Sequence, residues 1–366
     1  MSVFEKFGLR QVINGCGKMT VLGASAVEVE VADTMGKAAM DYVEIAELLS
    51  AAGKYIAKAT GAEDGCPTCG ASAGIAISTA AIIAGHNLAK IEALPDSSGM
   101  KNEIILQKGH AVNFGASVTQ MIRMGGGKPI EVGCANLVDA EHIEAAITEK
   151  TAALFYIKSH HAVQKGMQSI EVMKKIAEKY HLPLIIDAAA EEDMKKYIKL
   201  GADLVIYSGG KALGGPTSGF ICGRADLCKD CRMQYQGIGR AMKVGKEAVV
   251  GLLTALERYE NRTEDVTGQK KRMQWLIDNL QGIKGIQGKI VQDEAGREIY
   301  RAELTIEEKE LGISAKEIAV KLEAGNPTIH TRNYYLSQGK IYVDPRPLLE
   351  NQEEIIAEKI KMIIKK

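Results

Sequence analysis

The sequence predicts an α/β protein with a mainly parallel central sheet, helices on both faces and a smaller α+β C-terminal lobe. Three observations carry this. Short apolar runs alternate with helical stretches from residue 71 to about residue 259, the pattern of a largely parallel sheet. The run Leu204-Val205-Ile206-Tyr207 reads as a strand buried on both faces, and it ends in the glycine-rich turn Ser208-Gly209-Gly210-Lys211. The buried run before it, residues 183–186, ends in Asp187, at the carboxyl end of its strand, where open α/β sheets place their ligands.

Residues 1–25 form a glycine-broken arm. Residues 27–60 read as helical, with Met40, Val43, Ile45, Leu48 and Leu49 at helical spacing and Gly61 as the stop. An apolar helix over residues 71–89 opens with Ser72, Ala73 and Gly74. Its free N–H groups and positive dipole end suit a phosphate, and small residues let one approach. A buried core helix would be equally rich in alanine.

A strand over 103–107 leads to Gly109-His110. Strands near 129–132 and 152–157, with a helix over 140–147 between them, continue the alternation. Lys158-Ser159-His160-His161 follows a strand's carboxyl end and is a second place for acid–base groups, or for plain loop polarity. Ser169 caps a helix to Tyr180, and residues 195–199 read as a solvated helix face.

Lys211 stands on a tight turn past a buried strand. An amine against apolar walls loses solvation and becomes a usable nucleophile or base. A P-loop is excluded, because Ala212 follows the lysine and no glycine stands at the motif's first position. The turn could hold a phosphate, carry a Schiff-base lysine for pyridoxal phosphate, or be a solvated turn. Asp187 on the neighbouring strand matches the cofactor reading, since the pyridine nitrogen needs an anion and the aldehyde an amine. Asp187 as a helix cap remains the structural alternative.

Past Arg224 the pattern turns helical. Arg240, Lys243 and Lys246 are three apart and are expected on one helix face, as an anion site or a solvated run. Strands over 299–304 and 340–343, with helices over 315–322 and 353–364, make the second lobe. It carries Arg332 and Arg346, either of which could grip a carboxylate. The expected division is an arm with helices over 1–60, a large domain over 61–255 and a small domain over 256–366.

Composition sets outer limits. Lys+Arg and Asp+Glu both number 46, so the net charge is zero, which argues against a dedicated nucleic-acid binder. No apolar run reaches membrane-spanning length and no signal-peptide core is present, so the cytoplasm is expected. Seven cysteines suggest reduced thiols. The pairs Cys66/Cys69 and Cys228/Cys231 could build a zinc site, but the first falls in the phosphate-cup region, and no metal is expected.

The lysine motif SGGKALGGPTSG (208–219) resembles that of the selenocysteine synthase superfamily of fold-type I pyridoxal-phosphate enzymes, which includes the D-glucosaminate-6-phosphate ammonia-lyase group. Further matches are Asn14-Gly15-Cys16-Gly17, Thr20-Val21-Leu22-Gly23, Thr68-Cys69-Gly70-Ala71-Ser72-Ala73-Gly74, Asn326-Pro327-Thr328-Ile329 with Arg332, and Asp344-Pro345-Arg346-Pro347-Leu348. The resemblance spans nearly the whole chain. It implies a fold-type I transferase-like architecture with pyridoxal 5'-phosphate on Lys211. Asp187 would serve at the ring nitrogen, His110 on the ring face, and Ser72, Ala73 and Ser208 around the phosphate. Arg332 or Arg346 would take a substrate carboxylate, with Arg240 and Lys243 on a distal anion.

The implied activity is an ammonia-lyase on a 2-amino sugar acid, D-glucosaminate 6-phosphate foremost, in a homo-oligomer of at least two chains. A seryl-tRNA selenium transferase-like enzyme is the alternative. It ranks lower on the zero net charge and on a chain that begins almost at the Asn14 motif, without an extra tRNA-binding segment. A non-catalytic phosphate- or metal-binding protein is the third reading.

Overall fold

The computed structural model describes residues 3–159, 162–262, 265–294 and 297–365. The strands, in chain order, are β1 (Val12–Gly15), β2 (Asp64–Thr68), β3 (Glu103–Gln107), β4 (Lys128–Val132), β5 (Thr151–Ile157), β6 (Leu184–Asp187), β7 (Leu204–Ser208), β8 (Gly219–Gly223), β9 (Ile286–Gln292), β10 (Tyr300–Ile306), β11 (Thr328–Thr331) and β12 (Lys340–Val343). Two compact units form, Ala26–Asn261 and Met1–Ser25 with Arg262–Lys366.

The first unit is built on a seven-stranded sheet of order β2-β8-β7-β6-β5-β3-β4. Only β8 runs against its neighbours. β3, β5 and β6 are buried at every position, as expected of parallel strands covered on both faces. Side chains alternate between two cores. Leu154, Tyr156, Ile186, Val205 and Tyr207 pack with Met173, Ile176 and Leu252. Phe155, Ile157, Ile185 and Ile206 pack with Ile75 and Ile77. The latter two belong to the helix Ala71–Ala84, which is buried nearly all round and so apolar on every face. At Gly74 an added Cβ would come within 2.7 Å of Ile206 Cγ2, so glycine is what lets this helix lie against β7.

β2 has no sequence signal. Its residues Asp-Gly-Cys-Pro-Thr are poor strand formers, and tertiary pairing with β8 decides it.

In the second unit, β12-β10-β9 form an antiparallel sheet and β1 pairs with β11 in parallel. Ala302, Leu304, Ile306, Ile341 and Val343 pack with Met273, Leu276, Ile318 and Ile356. The arm therefore groups with the C-terminal residues. The divisions fall at 25/26 and 261/262, where the sequence reading placed them at 60/61 and 255/256. The β1–β11 pairing joins segments more than 300 residues apart, so no local pattern announces it.

Candidate active site

The ends of β3, β5, β6 and β7 share one edge of the large sheet. Register sets Asp187 beside Ile157 on β5 and Ile206 on β7. Asp187 is 4% exposed. Burial pushes its carboxyl up to about 6, against the Ala189 N–H, which donates to Oδ1 at 3.1 Å, and against the nearby Lys211 charge. A carboxylate held this way gains from a cationic partner. The structure thus brings Asp187 and Lys211 together.

Lys211 is half-buried on a cinched turn. Gly209 N–H donates to Ser218 O and Gly215 N–H to Gly209 O, both at 2.8 Å. Gly214 has φ +68°, and a Cβ at Gly209 would meet Ser218 Oγ at 2.1 Å. Gly214 is therefore favoured by its left-handed backbone, and a side chain at Gly209 would have to displace the Ser218 hydroxyl. Ser208 ends β7 and its N–H donates to Ala189 O at 3.3 Å, tying the Lys211 turn to the Asp187 loop.

The helix Ala71–Ala84 begins at Gly70 with no side chain capping its first-turn N–H groups. Ser72 is exposed, while Ala73 and Gly74 are buried. A Cβ at Gly219 would stand 2.7 Å from the Gly70 carbonyl carbon, which places the start of β8 directly against this helix start.

His110 lies at the same edge but is fully buried. Its ring meets Tyr156 edge-on at 4.5 Å, and Nδ1 accepts the Ile157 N–H at 3.3 Å. Burial drives its pKa down to about 4, with the Val163 backbone opposing and the Lys158 charge assisting. Burial favours the neutral imidazole, and its Nε2 meets no hydrogen-bond partner among the described residues. Phe114 is the aromatic that meets the lysine: its ring centroid is 5.7 Å from Lys211 Nζ. Sequence reasoning passed over Phe114. The available signal was an aromatic in the loop that follows His110.

Lys158 N–H donates to Asp187 O at 2.8 Å, and its Nζ lies 3.4 Å from Gln164 Oε1. Ser159 is buried, and His160 and His161 lie outside the described residues.

The basic run does not share a helix face, contrary to the spacing argument. Arg240 sits in the 3-10 turn Ile238–Met242, Lys243 is extended and Lys246 opens the helix Lys246–Glu260. Gly239 and Gly245 interrupt the helical pattern. Lys246 Nζ donates to the Ala38 carbonyl and, at 2.8 Å, to Ala39 O. It thereby caps the C-terminus of the helix Val29–Ala39. Arg240 and Lys243 remain exposed.

The two candidate arginines of the second unit differ. Arg346 donates to Asp344 through Nε at 3.0 Å and Nη2 at 2.9 Å. Arg332 lies over the Tyr334 ring at 4.7 Å, and no carboxylate is within ion-pair distance of it among the described residues.

Cys66, Cys228 and Cys231 are buried and free. Burial raises each thiol, Cys66 to about 12, which makes them poor nucleophiles. Among the described residues no group of three or more His, Cys, Asp or Glu could hold a metal ion. Nor is any described helix long and apolar enough to cross a membrane.

The profile of the SelA family, L-seryl-tRNA selenium transferase, matches residues 12–316. The chain belongs to this family. Within reach of it, the D-glucosaminate-6-phosphate ammonia lyase of Salmonella typhimurium (strain 14028s / SGSC 2262) is 46% identical over 362 residues, covering 99% of this chain and 98% of that protein. The 5'-C-glycyluridine monooxygenase-decarboxylase of a Streptomyces species is 41% identical over 365 residues, covering 99% and 92%. A solved D-glucosaminate-6-phosphate ammonia-lyase structure superposes with a TM-score of 0.97 over 100% of this chain and 98% of that one, at 46% identity. The fold-type I architecture expected from the family resemblance is the one present.

Proposed function

We propose that this SelA-family chain is a pyridoxal-phosphate-dependent ammonia-lyase acting on a 2-amino sugar acid, D-glucosaminate 6-phosphate. The product is 2-keto-3-deoxy-6-phosphogluconate. The match that carries this is the full-length one: 46% identity with neither chain extending far beyond the other. The residues at the sheet edge fit the cofactor. They supply an amine at Lys211, a buried acid at Asp187 and an uncapped helix start at Gly70.

When bound, pyridoxal phosphate supplies an electron sink for charge developing at C2. The protein does the rest. Lys211 holds the cofactor and then takes the C2 proton. Asp187 keeps a positive charge opposite its carboxylate. The first-turn N–H groups beside Ser72 and Ala73, with Ser208, hold the phosphate. Arg332 takes the substrate carboxylate and Arg240 and Lys243 its distal phosphate, within a homo-oligomer. His110 supports the β5 end through Ile157. The C3–O bond breaks, its electron pair leaves on the oxygen, and that oxygen takes up a proton, balancing the one Lys211 removed from C2, to depart as water. Hydrolysis of the unsaturated amine then consumes one water and gives keto acid and ammonia.

The names of the relatives share a chemical unit. D-glucosaminate, 5'-C-glycyluridine and a seryl ester each carry an amine beside a carboxyl group and a hydroxyl on the next carbon. The reacting unit is thus a 2-amino-3-hydroxyacyl group, and the distal part separates the reactions. The test is a substrate panel: 2-amino sugar acids with and without a 6-phosphate, plus 5'-C-glycyluridine under oxygen. Keto-acid release from the 6-phosphate supports the reading. Oxygen uptake with carbon dioxide release from the nucleoside, and no keto acid from any sugar acid, defeats it.

A further inference from the structure

We propose that Tyr197, Tyr207 and Tyr259 are positioning residues for Asp187: their hydroxyls grip residues 191–193 and so hold the Ala189 N–H on the Asp187 carboxylate. This deepens the cofactor reading above and rests on it. Three separate elements supply the rings, and the hydroxyls fall on three consecutive residues of one loop.

Tyr197 belongs to the short helix Lys196–Lys199, Tyr207 to β7 and Tyr259 to the helix Lys246–Glu260. The Tyr197 hydroxyl donates to the Glu191 carboxylate, the Tyr259 hydroxyl to Glu192 O at 2.8 Å, and the Tyr207 hydroxyl to Asp193 O at 3.2 Å. Tyr197 and Tyr207 are 0% exposed, and Tyr207 stacks on Phe220 with ring centroids 5.2 Å apart. Phenylalanine would fill the same core space with no hydroxyl to satisfy. A buried hydroxyl costs free energy unless it is hydrogen-bonded. At Tyr197 and Tyr207 the bond to the loop is what offsets that cost.

The grip reaches Asp187 through a tight turn. Glu191 N–H donates to Ala188 O at 3.0 Å and closes residues 188–191, while Ala188 N–H donates to Ile206 O at 2.9 Å. Ala189 lies inside that turn. Its N–H donates to Asp187 Oδ1 at 3.1 Å, and its carbonyl accepts the Ser208 N–H at 3.3 Å. The far end of the loop is fixed as well: Asp193 Oδ1 accepts the Lys195 and Lys196 N–H groups at 2.9 and 3.0 Å. Burial disfavours the ionised form of Asp187, and the Ala189 N–H and the Lys211 charge oppose it. Slackening the loop draws this N–H off the carboxylate and leaves a cofactor ring nitrogen with a weaker anionic partner.

The experiment measures retention of pyridoxal phosphate by the full chain, by equilibrium dialysis. Tyr197→Phe, Tyr207→Phe, Tyr259→Phe and the triple variant are each made in the wild type and in an Asp187→Asn background, with Lys211 intact in both. The rings stay, so the variants should fold; denaturant unfolding checks this. The triple variant should weaken retention roughly three- to tenfold in the wild type. In the Asn background, where the carboxylate it serves is gone, the loss should be under about 1.5-fold. A second readout needs no cofactor. Amide hydrogen exchange over residues 188–193 of the cofactor-free chain should quicken roughly three- to tenfold in the triple variant, with β3 and β5 unchanged. Equal losses in both backgrounds overturn the proposal, because the tyrosines would then serve the fold and not Asp187. Unchanged retention in the triple variant overturns it too, as does unchanged exchange in the loop. A wild-type protein that takes up no pyridoxal phosphate would instead sink the cofactor reading itself, and this inference with it.

Discussion

Asp344 holds Arg346 through two hydrogen bonds, 3.0 and 2.9 Å, and its Oδ2 also accepts from Arg301 Nε at 2.9 Å. Asp344 is fully buried and Arg301 nearly so. Burial alone pushes the Asp344 carboxyl up. The two arginines outweigh burial and leave it below its ordinary value. Breaking a buried pair from one side leaves an uncompensated charge. Asp344→Ala should therefore cost roughly 3–5 kcal/mol of stability, read by denaturant unfolding. The sign with pH follows: this stabilisation is present above the unfolded carboxyl's pKa of about 3.9 and is lost as pH falls through the lower folded value.

Arg332 has a different expectation, because its guanidinium lies over the Tyr334 ring and no carboxylate is within ion-pair distance of it among the described residues. Arg332→Lys keeps the charge and loses the fork geometry. It should lower kcat/KM by roughly ten- to hundredfold with an unchanged unfolding midpoint. Full activity in Arg332→Lys would return the carboxylate role to another residue.

Lys211→Ala should abolish the covalent cofactor link. Borohydride reduction of the wild type followed by peptide mapping checks it directly. The label is expected on Lys211, and a label on any other lysine, Lys158 included, refutes the assignment.

Asp187→Asn separates function from stability. Turnover should fall by roughly 10²–10³-fold, because the charge that holds the ring nitrogen protonated is gone. Stability of the cofactor-free protein should move the other way. Asp187 sits near 6 in the folded chain because of burial, above its ordinary 3.8. Ionisation then favours the unfolded state as pH rises between those values. Asn avoids that cost, so the variant should gain up to about 3 kcal/mol above pH ~6, and the gain should vanish below pH ~4. A variant with near-normal turnover would make Asp187 a structural cap.

Arg240→Glu and Lys243→Glu should weaken binding of the phosphorylated sugar acid roughly ten- to hundredfold and leave its unphosphorylated analogue little affected. Lys246→Glu should instead lower stability, since Lys246 caps a helix end. Equal losses on both substrates would remove the anion-binding role. Sedimentation tests the oligomer: a fully active monomer contradicts the expected homo-oligomer.

Much of the site could be read from the chain alone. Asp187 and Lys211 end runs whose apolar pattern is local, and the glycines around Lys211 suit the turn itself. Strand runs and helix faces are written in periods of a few residues, so they need no partner to be recognised. What only the tertiary structure decided depends on partners far away in sequence. The arm strand β1 finds β11 across the length of the chain. Arg346 is taken by Asp344, while Arg332 is left to a ring. Lys246 turns to the end of a helix some 200 residues earlier. His110 meets Tyr156 and the β5 backbone, and Lys211 meets the Phe114 ring. In each case residue type fixes what a side chain is able to do, and packing fixes which neighbour it meets.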